Sequence, residues 1–347
     1  MSLPTGIEMQ YLEMGTPGGE VAVFLHGYTD SSLSFRPVID ALLARRPDLR
    51  VLLPDLRGHG GSSLPPAEEC ATAPERCFRV EDFARDVVAL LERLRVERAH
   101  LVGHSFGSMA AQDVALMAAD RVASLVLLGS SARMVGNPVI QQFVVTQLLE
   151  DTWRPALEAR GARWPEDAYT VTPLDVDPAA EKWLMSNWVT EIAADPAYLA
   201  ELAARTAEVP VGTWLGAGRA LLAFDNVDRL GGLTVPTLVL WAIQDVVTPE
   251  SDQILLRSAL DVASGRCRTT YVWKRYGRVP LPPSGLQASD FGHNFHWGAP
   301  EEVAADLAAW LADRAPTTDL HYVDPSDPRT VATSPDEAEL LHGPPCS

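Results

Sequence analysis

Ser105 stands in Gly103-His104-Ser105-Phe106-Gly107, directly after the apolar run Leu101-Val102 and directly before an Ala-rich helical pattern. A serine on so tight a strand-to-helix turn takes a strained backbone that only small neighbours permit, and its hydroxyl projects clear of the chain. Such a hydroxyl attacks a carbonyl carbon once a base removes its proton, and the base needs an acid to orient it. The acid candidate is Asp245, just past Thr237-Leu-Val-Leu-Trp-Ala-Ile243. That run reads as a buried parallel strand, and functional side chains gather at the carboxyl ends of such strands. The base candidate is His293, in Asp290-Phe-Gly-His293-Asn-Phe-His296, shortly before a helix signalled by Pro300 and by Val303, Leu307, Trp310 and Leu311 on one face. Asp245 has a rival reading as a helix cap, but Thr248 is itself a good cap. His296 competes with His293 and reads better as a pocket residue. The chain order is therefore Ser, Asp, His.

These residues need a rigid frame. Val21 to Leu25, Val51 to Leu53, Leu101-Val102, Leu125 to Leu128, Leu238 to Ile243 and Thr269 to Trp273 read as short strands. Helical patterns over Ser31 to Arg46 and Val80 to Val96 lie between them. The alternation predicts an α/β protein whose mostly parallel central sheet has helices on both faces. It breaks between Arg133 and Gly232, a stretch that reads as mostly helical and carries Trp153, Trp164, Trp183, Trp188 and Trp214. One or two of these should face an apolar cavity rather than the insert's own core. Trp183, Trp188 and Trp214, together with His104 and His296, are the candidate substrate contacts.

Val23-Phe-Leu-His26-Gly27-Tyr28 and Leu53-Pro-Asp55-Leu-Arg57-Gly58-His59-Gly60-Gly-Ser62 add to the serine turn, the acid strand and the Gly-His loop. In this combination the chain resembles the α/β-hydrolase fold family, ester-hydrolase type, over residues 23 to about 310. The resemblance implies Ser105 as nucleophile, His293 as base and Asp245 as its orienter, with the Tyr28 and Phe106 amides as oxyanion hole. It also implies a helical cap inserted after the strand ending near Leu128. The expected organisation is a core of 1–132 and 233–314, a cap of 133–232 and a weakly ordered tail of 315–347. His26 and His104, which flank the site, read as hydrogen-bonding scaffold, and His59 as part of a structural turn. Relatives that open epoxides or remove halides carry an aspartate where this chain has Ser105. The implied activity is hydrolysis of a carboxylic ester or lactone of a small apolar or aromatic substrate. C–C bond hydrolysis, acyl transfer or perhydrolysis on the same three residues, and a ligand receptor with vestigial turnover, stay open beside it.

Composition narrows the partners. With 347 residues, 47% of them apolar, the chain can bury one large core plus an inserted subdomain. A formal charge of −18 argues against nucleic acid or an anionic membrane surface and leaves a small molecule as the expected partner. No apolar stretch approaches the ~18 residues of a membrane span. No P-loop, dinucleotide glycine fingerprint or His-Glu-x-x-His occurs, so a mechanism without cofactor or metal is expected. Met1 to Gln10 shows no export signal, which predicts a cytoplasmic protein. Cys70 and Cys77, close enough to bridge in an oxidising compartment, are accordingly expected as free thiols, and Cys267 and Cys346 offer no metal spacing. A Pro/Gly-rich insertion over 274–290 enters the catalytic loop, where Tyr276, Arg278 and Leu281 could shape the entrance and narrow substrate choice. Oligomeric state is not legible.

Overall fold

The computed structural model describes residues 1–281 and 288–345; part of the 274–290 insertion and Cys346 lie outside them. Ten strands are described: β1 (Tyr11–Gly15), β2 (Glu20–Leu25), β3 (Leu49–Pro54), β4 (Ala99–His104), β5 (Val122–Leu128), β6 (Thr237–Ala242), β7 (Tyr271–Tyr276), β8 (Leu320–Val323), β9 (Val331–Ser334) and β10 (Leu340–His342). The helices that matter for the site are α1 (Arg36–Arg45), α2 (Val80–Arg93), α3 (Phe106–Met117), α4 (Ala180–Asn187), α5 (Pro196–Ala207), α6 (Val211–Leu221), α7 (Glu250–Gly265) and α8 (Pro300–Asp313).

The main sheet runs in the order β1-β3-β2-β4-β5-β6-β7-β10. Its six inner strands are parallel, and β1 and β10 close the two edges antiparallel. Strands β4 and β6 are buried along their whole length, as a sheet covered on both faces demands. Along β2 the side chains alternate between two cores. Val23 and Leu25 join Phe83, Phe106 and Met109 on one face, while Ala22 and Phe24 join Ile39, Leu307 and Trp310 on the other.

Between β5 and β6 the chain leaves the sheet for a mainly helical insert. It opens with a helix of π type, Val139–Trp153, and includes α4, α5 and α6. The insert is tied down at the front of the sheet. Trp188 Nε1 donates to Thr29 Oγ1 at 2.9 Å, and Tyr198 Oη donates to the carbonyls of Leu33 and Ser34, each at 2.9 Å.

Two expectations need correction. The stretch after Ala315 is not weakly ordered: β8 and β9 form a hairpin, and β10 pairs with β7. Without β10, the edge of β7 would present unpaired backbone groups, so pairing there satisfies both. The cysteines are not free thiols either. Cys70 and Cys77 form a disulfide with Cα atoms 5.9 Å apart, Cys267 is disulfide-bonded as well, and no described cysteine is free. Disulfides persist in oxidising compartments, which weighs against the reducing setting from which free thiols were inferred. Among the described residues no helix is long and apolar enough to cross a membrane.

Candidate active site

Ser105 sits at the junction of β4 and α3 with φ 51° and ψ −120°. The turn is this sharp because its glycines admit no side chain. A Cβ on Gly103 would fall 2.5 Å from the Gly107 carbonyl oxygen, and one on Gly107 would fall 2.2 Å from the Leu25 carbonyl oxygen. The Gly-x-Ser-x-Gly pattern is thus a packing requirement of β2 against the start of α3.

The loop after β7 brings His293 onto the serine. His293 Nε2 lies 2.8 Å from Ser105 Oγ, and His293 Nδ1 lies 2.8 Å from Asp245 Oδ2. Asp245 is fixed in turn. Its Oδ1 accepts from the Val247 and Thr248 amides, both at 2.8 Å, and its Oδ2 accepts from Thr248 Oγ1 at 2.7 Å. Burial disfavours its charge, but the adjoining His293 and these hydrogen bonds outweigh burial and hold Asp245 below the usual aspartate range. A carboxylate that stays ionised beside Nδ1 keeps the proton there and leaves Nε2 free to take the serine proton.

Opposite the serine lie the two expected amides. Phe106 N–H is the first of α3 and Tyr28 N–H belongs to the loop after β2; neither has an acceptor among the described residues. His26 shapes that loop: Nδ1 donates to the Gly27 carbonyl at 2.9 Å and Nε2 accepts from the Leu56 amide at 2.9 Å. His59 does the same from the other side, with Nδ1 2.8 Å from the Arg57 carbonyl and Nε2 accepting from Thr29 N–H at 3.3 Å. Burial pushes the pKa of both down, His59 to about 3, so they are neutral scaffold.

The serine opens into a cavity of about 670 Å³ between the sheet and the insert, its walls mostly apolar. His104 and Trp188 line it. Trp183, Trp214 and His296 do not, for three different reasons. Trp183 is spent on a stack in which Phe143 lies between it and Trp188, with ring centroids 5.6 and 6.2 Å apart. Trp214 is buried behind Tyr28, whose hydroxyl donates to its carbonyl. His296 is buried with its ring 4.2 Å from that of His104 and its Nε2 3.3 Å from Ser34 Oγ. Of the insertion residues, Leu281 and Ala288 reach the cavity. Tyr276 is buried with its hydroxyl on Asp306, and Arg278 pairs with Glu337 over the Tyr322 ring.

Sequence reasoning missed one contact of His104 and two further residues. His104 Nε2 lies 3.0 Å from the His293 carbonyl, so the residue before the serine positions the backbone of the base. Asp30 and Glu191, both buried, also line the cavity. Nothing in the local pattern marks them, because each becomes an interior residue only when the insert closes over the sheet.

A family model described as the alpha/beta hydrolase fold matches residues 21–270. A protein of Variovorax paradoxus named "Putative carbamate hydrolase RutD" is 31% identical over 243 residues, which are 70% of this chain and 80% of that protein. Epoxide hydrolase A of Mycobacterium tuberculosis is 35% identical over 127 residues, so the match spans only 37% of its length and 37% of this chain. Among solved structures, the enol-lactonase from Burkholderia xenovorans superposes with a TM-score of 0.62 at 20% identity, covering 90% of this chain and 99% of that one.

Proposed function

The chain belongs to the α/β-hydrolase fold family, and within it we propose a serine hydrolase that cleaves a carboxylic ester, open or cyclic, of a small substrate through an acyl-enzyme. The observation that carries this reading is the unbroken line from Asp245 through His293 to Ser105, each link 2.8 Å long. His293 Nε2 takes the Ser105 proton as Oγ adds to the substrate carbonyl carbon. The oxyanion that forms is held by the free amides of Tyr28 and Phe106, which are oriented before the charge develops. His293 then returns the proton to the departing alcohol, and the carbonyl re-forms as an ester of Ser105. Water, deprotonated by the same histidine, releases the acid and restores the serine.

Ser105 also bears on the resemblance to the epoxide hydrolase. Epoxide opening in this fold uses an aspartate at the elbow, and this chain has an alcohol there, which favours acyl transfer to water. The cavity walls, among them Phe143, Trp188 and Trp297, suit an apolar or aromatic group. We place the protein in an oxidising compartment on the strength of its disulfides.

The test is steady-state hydrolysis of nitrophenyl esters graded by acyl length, with Ser105→Ala alongside and the trapped acyl-enzyme weighed by mass spectrometry. Turnover should drop by about 10³–10⁶-fold in the variant without loss of folding. Asp245→Asn should lose no more than removal of the base. Equal turnover in wild type and Ser105→Ala refutes the assignment.

A further inference from the structure

Besides the catalytic residues, the mostly apolar cavity carries a few neutral polar side chains, among them Asn187, Thr190, Gln244 and Asn294, and two carboxyl groups that have no catalytic task. Asp30 is 7% exposed and Glu191 9% exposed, and both line it. They meet the same stretch of wall. Ser34 Oγ donates to Asp30 Oδ2 at 3.2 Å and accepts from Trp297 Nε1 at 3.1 Å. Glu191 packs beside Gly298, where an added Cβ would come 3.1 Å from its Cγ. Trp297 therefore joins the hydrogen-bonded group of Asp30 and directly precedes the glycine on which Glu191 packs.

Neither acid has a cation. Among the described residues that line the cavity none is Lys or Arg, and no ion pair involves Asp30 or Glu191. Glu191 Oε1 accepts from the Ile192 amide at 3.1 Å and weakly from the Gly292 amide at 3.4 Å, while Oε2 accepts nothing among the described residues. A carboxylate buried with a free oxygen is disfavoured unless a partner arrives. Accordingly burial pushes Asp30 up to about 7 and Glu191 up to about 8, so the empty site is close to neutral.

Resting on the ester-hydrolase reading, we propose that Glu191 forms a subsite for an ammonium group, with Asp30 a second acid on the same cavity, so that the substrate is an ester bearing a primary amine. The ammonium donates to Glu191 Oε2 in a charge-assisted hydrogen bond, and Glu191 releases its proton to the solvent as the pair forms. Trp188, Trp297 and Tyr28 line the same cavity and would hold the carbon spacer between the amine and the ester. The net charge of −18 draws cations toward the molecule and repels anionic esters. A wholly apolar substrate would instead strip water from Glu191 and give it nothing in return.

The experiment uses two linked readouts on the whole chain. Hexylammonium and the neutral hexanol are titrated into wild type, Glu191→Gln and Asp30→Asn, followed by tryptophan fluorescence, since Trp188 and Trp297 line the cavity. In parallel, a nitrophenyl ester with a terminal amine on its acyl chain is compared with its equally long hydrocarbon counterpart. Hexylammonium should bind at least tenfold tighter than hexanol, and Glu191→Gln, which keeps shape and acceptor but not charge, should lose most of that preference. The amino ester should show a matching advantage in kcat/KM. Equal affinity for the two probes, no binding of either, or a preference that survives in Glu191→Gln overturns the subsite. If Ser105-dependent hydrolysis occurs without ammonium preference, only the subsite falls. If ammonium preference is present and no ester is cleaved, the subsite stands and the ester reading falls.

Discussion

Gly129 lies directly under His293. It directly follows β5 with φ +52°, and a Cβ built there would be 3.1 Å from both Cε1 and Nδ1 of the imidazole and 3.4 Å from Asp245 Oδ2. The base and its acid thus rest on a bare backbone. Gly129→Ala adds a methyl that the imidazole must evade by a few tenths of an ångström, and it places alanine in a left-handed conformation that costs about 1 kcal/mol. Displacement of a reacting group on this scale should lower kcat by about 10–100-fold with little change in KM. Steady-state kinetics checks it, and an unchanged kcat would show that the imidazole has room.

Ser105 itself carries strain, since φ 51° with ψ −120° is a region that side-chain-bearing residues avoid. Ser105→Gly should abolish turnover and yet stabilise the fold by about 1–2 kcal/mol, because glycine adopts this conformation freely. Thermal melting of Ser105→Gly beside Ser105→Ala separates the effect from mere loss of the hydroxyl, since alanine keeps the strain. A Tm of Ser105→Gly at or below that of Ser105→Ala would count against stored strain.

The Cys70–Cys77 bridge closes a short loop at the edge of the insert. Beyond it Phe78 packs on Gly216 of α6, where a Cβ would fall 2.5 Å from the Phe78 ring. Replacing both cysteines by serine should cost about 2 kcal/mol from the restored freedom of the unfolded loop. Hydrogen exchange should quicken in α6 before it does in β4. If protection in α6 is unaltered, the bridge is only local.

Glu191 has a consequence for stability as well as for binding. Its folded pKa, raised by burial to about 8, exceeds the usual 4.5, so the folded chain retains a proton that the unfolded chain releases. Stability is then fully present below about pH 4.5 and declines as pH rises toward 8. In Glu191→Gln this decline is missing, so the variant should gain on wild type across that window by on the order of a few kcal/mol. Urea midpoints measured from pH 5 to about 9 test this; a gap of constant size would mean that Glu191 ionises freely in the fold. Asp30, raised to about 7 by the same cause, adds a parallel slope that both proteins share.

Much of this was legible in the sequence. The strands β2, β4, β5 and β6 announce themselves as unbroken apolar runs because a sheet buried on both faces leaves no polar side. Ser105, Asp245 and His293 follow from strand ends and turn chemistry, which are local properties: small residues where a turn is tight, an acid or a histidine where a strand runs out. The short strands after Ala315 were hidden because β10 is stable only as the covering of an edge formed elsewhere in the chain. Cys70 and Cys77 show only their spacing, and whether they join depends on how the loop between them folds back.

What the tertiary structure alone decided is which surfaces became walls. Nothing along the chain distinguishes Trp183, Trp188 and Trp214, yet of the three only Trp188 meets the cavity, since Phe143 stacks on Trp183 and Tyr28 packs on Trp214. Asp30 and Glu191 look like ordinary surface acids along the chain and become buried parts of one cavity wall when the insert docks. The geometry around Ser105 is written in local spacing because one turn and two strand ends make it. Selectivity is not, because a pocket belongs to no segment and exists only where several of them exclude water together.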